Sequence, residues 1–311
     1  MKEAPGKEPV ENNLCDFPKI PFSVYMMYAA AHCFMQRGAG MDRKTDVRKE
    51  PAERQERSTG RRLLSGMMSL VYPPDIYCLA CGRPVDPGHV YSLCEDCLNE
   101  ITWADRKTCR VCGKPLESWY PAELCSECLV SPRAFKRGVI CFLYKGGARS
   151  MMKDLKYHGR KYNARIFGQI LADKILYEGL DFDLCVPVPM YEKKERTRGY
   201  NQAELIAKYA AEKLKKPLTP RALVRTRWTA PMNRLTSQEQ KRNLRDAFVV
   251  PPDQAWKIRG TTVLLVDDLY TTGVTMNTCA QELLKAGAAH IYAAAMASGR
   301  NQRELPEEGQ S

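Results

Sequence analysis

No apolar run in the 311-residue chain is long enough to span a bilayer. The fullest, residues 20–35 (IPFSVYMMYAAAHCFM), stops at sixteen and is interrupted by His32 and Cys33, short of the roughly 20 residues a spanning helix needs. It also makes a poor secretory signal, because Glu3, Glu8, Glu11 and Asp16 dilute the positive stretch that should precede it. Aromatic residues are sparse at 9%, and no aromatic platform for stacking nucleic-acid bases is evident. Collagen-like and coiled-coil repeats are missing, and an apolar fraction of 44% excludes wholesale disorder. Length and composition therefore point to about two domains with buried cores and no membrane span.

Cysteine is abundant, and its distribution is informative. Thirteen is an odd number, and the chain is too long for a small disulfide scaffold, so metal ligation or reduced thiols come first. Eight of the thirteen form four C-x-x-C pairs: Cys78/Cys81, Cys94/Cys97, Cys109/Cys112 and Cys125/Cys128. Each member of the second half lies 31 residues after its counterpart, and the text repeats as CLACGRPV…LCEDCL against CRVCGKPL…LCSECL. This is an internal duplication of C-x2-C-x12-C-x2-C.

A C-x-x-C-G turn points two thiolates at one cation, and the next dozen residues return with two more. Four thiolates close a tetrahedral shell, the pattern of structural rather than catalytic zinc. Knuckles of this size cannot fold on apolar burial alone, so the metal would supply their folding free energy, on the order of 10 kcal/mol per site. The expected ligands are Cys78, Cys81, Cys94 and Cys97, then Cys109, Cys112, Cys125 and Cys128. A cross-braced arrangement, redox-active C-x-x-C pairs and an iron-sulfur cluster stay open as alternatives. Cys15, Cys33, Cys141, Cys185 and Cys279 have no partner spacing; the last three lie in apolar segments and read as small buried hydrophobes. Thiolate ligands and unpaired cysteines together imply a reducing, cytoplasmic setting.

The charge is as unevenly spread as the cysteine. Of the net +12, residues 1–70 hold +3, residues 71–135 hold −3 and residues 136–311 hold +12. Four segments follow: a low-complexity, flexible extension over residues 1–66, a double zinc ribbon over 67–135, a basic α/β module over 136–300, and a polar tail over 301–311. Residues 42–62 are a mixed-charge run that reads as a solvated linker. Translation starting at Met41, Met67 or Met68 is an open alternative.

From residue 136 onward, strand and helix patterns alternate. Strands are expected at residues 138–144, 182–188, 222–225, 262–267 and 290–297, and helices at 148–157, 162–177, 201–214 and 276–286. Asn201 is placed as the N-cap of the third helix, with Glu204 three residues on. Such alternation predicts a parallel sheet covered by helices on both faces.

Residues 262–276, TVLLVDDLYTTGVTM, carry the chemistry. An apolar strand ending in Asp267 and Asp268, then Thr271, Thr272 and Gly273, then a helix, puts a loop at the carboxyl edge of the sheet, where open α/β folds bind ligands. Gly273 permits a tight turn, Thr271, Thr272 and Thr275 offer hydroxyls, and the helix presents free N–H groups; together they suit a phosphate monoester. The two carboxylates lie beside that cradle and suit vicinal hydroxyls or Mg2+. A sugar phosphate is the ligand class implied.

These fifteen residues resemble the 5-phosphoribosyl-1-pyrophosphate (PRPP) motif of type I phosphoribosyltransferases. The doubled zinc knuckle followed by YKGGARSMMKDLKYHGR, VPVPMYEKKERTRGYNQAEL, NRLTSQEQKRNLRDAF and the PRPP loop, in that order, resembles the ComF family of competence-associated proteins over residues 68–299. The preceding LLSGMMSLVYPP is similar to that family's usual start.

The resemblance implies a type I phosphoribosyltransferase fold, with Asp267 and Asp268 holding the ribose hydroxyls. The backbone of Leu269, Tyr270, Thr271, Thr272, Gly273, Val274 and Thr275 would cradle the 5-phosphate. Pro187, Val188 and Pro189 would form the loop near pyrophosphate, and Arg198, Gly199, Asn201 and Gln202 would lie near the diphosphate and a mobile lid. Lys156 is a candidate diphosphate contact. The chain departs from a common T-P-P-Q string at Thr229, Ala230, Pro231 and Met232, and so lacks that glutamine.

The implied reaction is displacement of pyrophosphate from C1 of Mg-PRPP by the nitrogen of an unidentified base or amine. Mg2+ and basic groups, Arg198 and Lys156 among them, would stabilise the leaving group, and carboxylates near the ribose would tolerate an oxocarbenium-like ring. Residues 226–245, with Arg227, Arg234, Lys241, Arg242 and Arg245, read either as a basic lid or as a solvated helix. His89 falls inside the first knuckle, and His158 at a helix end reads as a surface or capping residue. No general base stands out.

A second class of reading remains beside the enzyme. Zinc knuckles on a basic module could serve a PRPP-sensing protein, or one binding single-stranded DNA or a DNA-uptake helicase, consistent with the family's link to DNA uptake. The charge distribution separates the two: a cluster around the loop favours substrate, whereas a stripe reaching the knuckles favours nucleic acid.

Overall fold

Four apolar segments of the C-terminal half pair into one parallel sheet: β1 (Arg137–Leu143), β2 (Leu184–Pro187), β5 (Thr262–Tyr270) and β6 (His290–Ser298), in the order β1-β6-β5-β2. The computed structural model describes residues 76–86, 89–157, 160–230 and 235–299. Expectations for residues 1–66 and 301–311, for Met41, Met67 and Met68, and for Cys15, Cys33, His158, Pro231, Met232 and Arg234 lie outside the described residues. Among the described residues, no helix is long and apolar enough to cross a membrane.

Nine α-helices are described: α1 (Glu95–Glu100), α2 (Ser126–Val130), α3 (Gly146–Tyr157), α4 (Asn163–Tyr177), α5 (Glu192–Arg198), α6 (Gln202–Leu214), α7 (Ser237–Leu244), α8 (Ala255–Ile258) and α9 (Val274–Lys285). A small antiparallel pair, β3 (Val224–Arg225) with β4 (Phe248–Val249), lies between α6 and α9 in the chain. Asn201 caps α6 as expected, its side chain accepting from Ala203 N. β5 runs three residues beyond the expected 262–267, because Leu269 and Tyr270 still pair with Ala297 and Ser298 of β6.

Side chains alternate across the sheet and feed two cores. Leu264 and Val266 of β5 join one cluster with α3, α4 and α6; Val263 and Leu265 join the other with α9 and the β3-β4 pair. The helix layer on the first face is held by a close crossing of α4 over α6. A Cβ at Gly168 would come within 2.4 Å of Tyr209 Cβ and 2.8 Å of Ala210 N, so only glycine lets the backbones approach this far.

The cysteine-rich repeats are built into both cores. Leu79, Val85 and Leu93 of the first repeat join the α3-α4-α6 side, whereas Leu116 of the second joins the α9 side. Between them, residues 102–104 lie against the outer edge of β1. Leu143 N donates to Thr102 O at 2.9 Å and Ala104 N to Cys141 O at 2.9 Å, and Trp103 bridges Phe142. An exposed parallel edge is an invitation to stray pairing, and the ribbon module closes it. Lys174 of α4, 2% exposed, secures the seam by donating to Ala104 O at 2.7 Å while pairing with Glu178 at 2.8 Å.

Candidate functional site

The two cysteine repeats fold alike. In the first, Cys78 N bonds Arg83 O, Gly82 N bonds Cys78 O, and Cys94 N reaches Cys78 Sγ at 3.4 Å. In the second, Cys109 N bonds Lys114 O, Gly113 N bonds Cys109 O, and Cys125 N reaches Cys109 Sγ at 3.3 Å. Gly82 and Gly113 occupy the left-handed turn at φ +76° and +73°, the conformation that glycine makes inexpensive. Cys94 and Cys125 then sit at the N-caps of α1 and α2.

The sulfurs assemble as two self-contained groups, Cys78-Cys81-Cys94-Cys97 and Cys109-Cys112-Cys125-Cys128, each with its Sγ atoms within 4.8 Å of one another. The Cys81–Cys94 and Cys112–Cys125 sulfurs are 3.8 and 3.6 Å apart. A tetrahedron with metal–sulfur bonds of about 2.3 Å has edges of about 3.8 Å, so the donor set fits zinc; a disulfide, at about 2.05 Å, is excluded. Sequential ligation, not cross-bracing, is the arrangement.

The two sites differ in their surroundings. Cys81 is exposed, and Arg83 bonds both Cys81 and Cys94 sulfurs while pairing with Asp96. That guanidinium pulls the Cys81 thiol down to about 6, favouring the thiolate that zinc takes. At the second site all four cysteines are buried. The equivalent cation, Lys114, is 2% exposed and pairs with Glu127 at 3.0 Å. Burial here comes from β1: a Cβ on Gly113 would lie 2.4 Å from Gly138 O, and one on Gly138 would lie 2.5 Å from Cys112 O.

At the carboxyl edge of the sheet, Asp267 and Asp268 lie near the end of β5. Thr271, Thr272 and Gly273 make the turn, and Val274 and Thr275 open α9. Gly273 is left-handed at φ +75°, and a Cβ there would sit 2.1 Å from Tyr270 Oη, so this turn admits only glycine. Leu269 and Tyr270, expected in the phosphate cradle, are strand residues; Tyr270 is buried at 3%. Thr272 Oγ1 donates to Gln240 Oε1 of α7 at 2.6 Å. α7 itself starts in a capping box between Thr236 and Glu239 and buries Gln240 and Leu244, so it docks one face beside the loop.

One strand over, Pro187 pairs with Val266 and Val188 N donates to Val266 O. Asn201 Nδ2 donates to Val188 O at 3.0 Å, tying this loop to the start of α6. Arg198, at the end of α5, donates to Gln202 Oε1 at 2.7 Å and lies 5.6 Å over the Tyr157 ring. Gln202 is 1% exposed, and its Nε2 has no protein partner. Pro187, Val188, Arg198, Asn201 and Gln202 thus converge on the edge that carries Asp267.

Lys156, at the end of α3, pairs with Asp268 across 2.6 Å, each side chain 15% exposed. Burial opposes the Lys156 charge, but Asp268 and Asp267 outweigh it, and the ammonium is held above its ordinary pKa. Asp267 goes the other way. Desolvation and the neighbouring Asp268 carboxylate push it well above the usual carboxylate range, and its Oδ1 accepts from Asp268 N at 2.8 Å.

Two basic residues that the sequence reading passed over join this edge. Lys194 is held below its ordinary value by burial and then by Arg198, Arg225 and Lys156. Arg225, on β3, is likewise lowered by burial, with Asp267 opposing, and its buried Nε is unpartnered. Lys156 therefore pairs with Asp268 directly, Lys194 and Arg225 lie within electrostatic reach of Asp268 and Asp267 respectively, and Arg198 lies within reach of Lys194.

Residues 67–129 match the family model of the double zinc ribbon domain and residues 201–310 that of the phosphoribosyl transferase domain. The DNA utilization protein YhgH of Escherichia coli K12 is 31% identical over 219 residues, covering 69% of this chain and 93% of that protein. The chain belongs to the ComF family. Competence protein ComFC of Bacillus subtilis is 26% identical over 217 residues, 68% of this chain and 73% of that one. Competence protein F of Haemophilus influenzae is 31% identical over 109 residues, 35% and 47% of the two chains.

Within the ComF family the two cysteine tetrads are zinc-ribbon sites, and the α/β half is a phosphoribosyltransferase fold. Closed four-thiolate shells leave no position for substrate, so both zincs are structural.

Proposed function

We propose that this ComF-family chain binds Mg-PRPP at the carboxyl edge of its sheet and transfers the phosphoribosyl group to a nitrogen nucleophile, releasing pyrophosphate. The observation that carries the reading is the arrangement around β5: an acidic pair, a glycine-dependent turn at a helix N-terminus, and Lys156 bonded to Asp268 with Lys194 and Arg225 within electrostatic reach. The turn and the first N–H groups of α9 take the 5-phosphate. Asp267 and Asp268 take the ribose hydroxyls, and Lys194, Arg198 and Arg225 face the diphosphate.

Mg2+, a hard cation suited to carboxylate and phosphate oxygens, would neutralise the pyrophosphate as it accepts the electron pair of the breaking C1–O bond. Lys156 fixes Asp268 in place, so the carboxylate does not swing toward the diphosphate. α7, docked on Thr272 through Gln240, is positioned to cover the loop and keep water from the reacting carbon. Cations within reach of the acidic pair suit a small anionic substrate. The relatives' names, DNA utilization and competence proteins, support a role linked to the handling of DNA.

Calorimetry with Mg-PRPP on zinc-replete protein tests the ligand, beside a D267N/D268N variant. Heat from the parent and none from the variant is expected. No heat from the parent would sink the ligand, and equal heat from both would sink the residue assignment. Adding candidate bases or amines and following pyrophosphate release separates transferase from sensor.

A further inference from the structure

The second zinc site does not stand apart from the phosphate loop. Arg133, five residues past the last ligand, donates from Nη2 to Thr272 O at 2.9 Å, and the same guanidinium lies beside the Cys128 thiol. One residue on, Ala134 N donates to Asn277 Oδ1 in the first turn of α9 at 2.7 Å. Tyr270 fills the space between ribbon and turn. Its hydroxyl abuts Gly273, and the Lys114 ammonium, itself paired with Glu127 beside Cys128, lies 5.9 Å over its ring. Arg133 Nε and Tyr270 Oη are buried without a protein partner, two spare donors in the layer between thiolates and loop. The first site packs instead against the start of α3, where a Cβ at Gly147 would meet Ala80 Cβ at 3.1 Å.

We infer that the second zinc site is a strut for the phosphate loop, with Arg133 and Tyr270 as positioning residues between metal and ligand. Zinc at Cys109, Cys112, Cys125 and Cys128 fixes the Cys128 sulfur, Arg133 carries that position to the Thr272 carbonyl, and Tyr270 supports the turn from beneath. Groups that bond metal-bound sulfur or nitrogen orient the ligands and tune affinity. Coupling of this kind is reciprocal: an anion held in the turn must also hold the second zinc. The first site, packed into the core on the other side of the sheet with Cys81 its one exposed ligand, lies outside this coupling. The reciprocal part rests on the Mg-PRPP reading above; the mechanical part does not.

The test uses the full chain loaded with zinc. Hydrogen exchange of the segment 269–277 is compared between parent, Arg133→Met and Arg133→Lys without ligand. Arg133→Met should keep both zincs yet exchange about tenfold faster there, the effect of losing a charge-assisted hydrogen bond. Arg133→Lys, which keeps one donor, should fall between, and it serves alone if the methionine variant is insoluble. In parallel, zinc release to a chelator is followed with and without Mg-PRPP. One of the two zincs in the parent should be released about ten- to a hundredfold more slowly with ligand, and this protection should be lost in the variants. Parent-like exchange at 269–277 in the variants overturns the strut. So does zinc release unaffected by Mg-PRPP that calorimetry shows to be bound. If calorimetry shows no binding while exchange still speeds up, the substrate reading falls and the strut stands.

Discussion

Replacing Asp267 with asparagine should make the protein more stable while abolishing its binding of Mg-PRPP. Two carboxylates share this edge with one close ammonium, and that ammonium belongs to Asp268. Asp267 is left desolvated beside a like charge, which is why its pKa rises well above the carboxylate range. Like charges about 5 Å apart at an effective dielectric near 20 repel by about 3 kcal/mol. Lys156 and the partial solvent access of Asp267 reduce that, leaving a gain of about 1–2 kcal/mol. For a folded unit of this size it corresponds to roughly 2–8 °C in Tm. Asparagine keeps the one hydrogen bond that matters locally, since its Oδ1 can still accept from Asp268 N.

The sign with pH follows from linkage. Asp267 has a higher pKa folded than unfolded, so the folded state holds more protons and stability falls as pH rises above the unfolded value of about 4. The loss grows until pH passes the folded pKa and is constant beyond it. The asparagine variant lacks this loss, so its advantage should be smallest at the acid end and largest at the alkaline end of a melting series from pH 5 to 9. An unchanged or lower Tm at pH 8, or a gain independent of pH, would refute the reasoning.

Lys156→Met removes the partner of a carboxylate that is 15% exposed and should cost roughly 3 kcal/mol; adding Asp268→Asn should recover most of it, read as Tm in a double-mutant cycle. Cys109→Ser should be far more damaging than Cys81→Ser, because all four ligands of the second site are buried in the α9-side core whereas Cys81 is exposed; metal content and Tm of the two variants decide. Gly168→Ala should destabilise by about 1–3 kcal/mol by forcing α4 off α6, seen as a lower denaturation midpoint with zinc content and loop exchange unchanged.

What could be read from the sequence divides along a physical line. The eight ligands were legible because metal geometry fixes spacing and a duplication writes it twice. The parallel sheet followed from the alternation of strand and helix patterns, and the position of Asp267 and Asp268 at its carboxyl edge from an apolar run meeting T-T-G; the strand order β1-β6-β5-β2 is set by pairing between distant segments and was not legible. Lys194 and Arg225 were not legible, since each counts only through the element that brings it to the acidic pair: a short charged helix for Lys194, and a two-residue strand for Arg225. Residues 226–245 left lid and solvated helix open. α7 is a helix with a buried face, carried by Gln240 and Leu244 rather than by its charges. Leu269 and Tyr270 look like loop residues beside T-T-G, yet pairing with Ala297 and Ser298 keeps them in the strand.

The seam between ribbon and sheet explains why the two modules occur in one chain. Residues 102–104 complete the edge of β1, the first repeat fills one core, and the second repeat fills the other. Removing the ribbons would unmask a strand edge and apolar surface on both faces at once, a condition that favours aggregation over a stable truncated domain. It would also take away Arg133 and with it the bond to Thr272 O. The cysteine module is therefore half of the scaffold on which the phosphate loop stands, and a boundary drawn near residue 135 divides the sequence without dividing the folded unit.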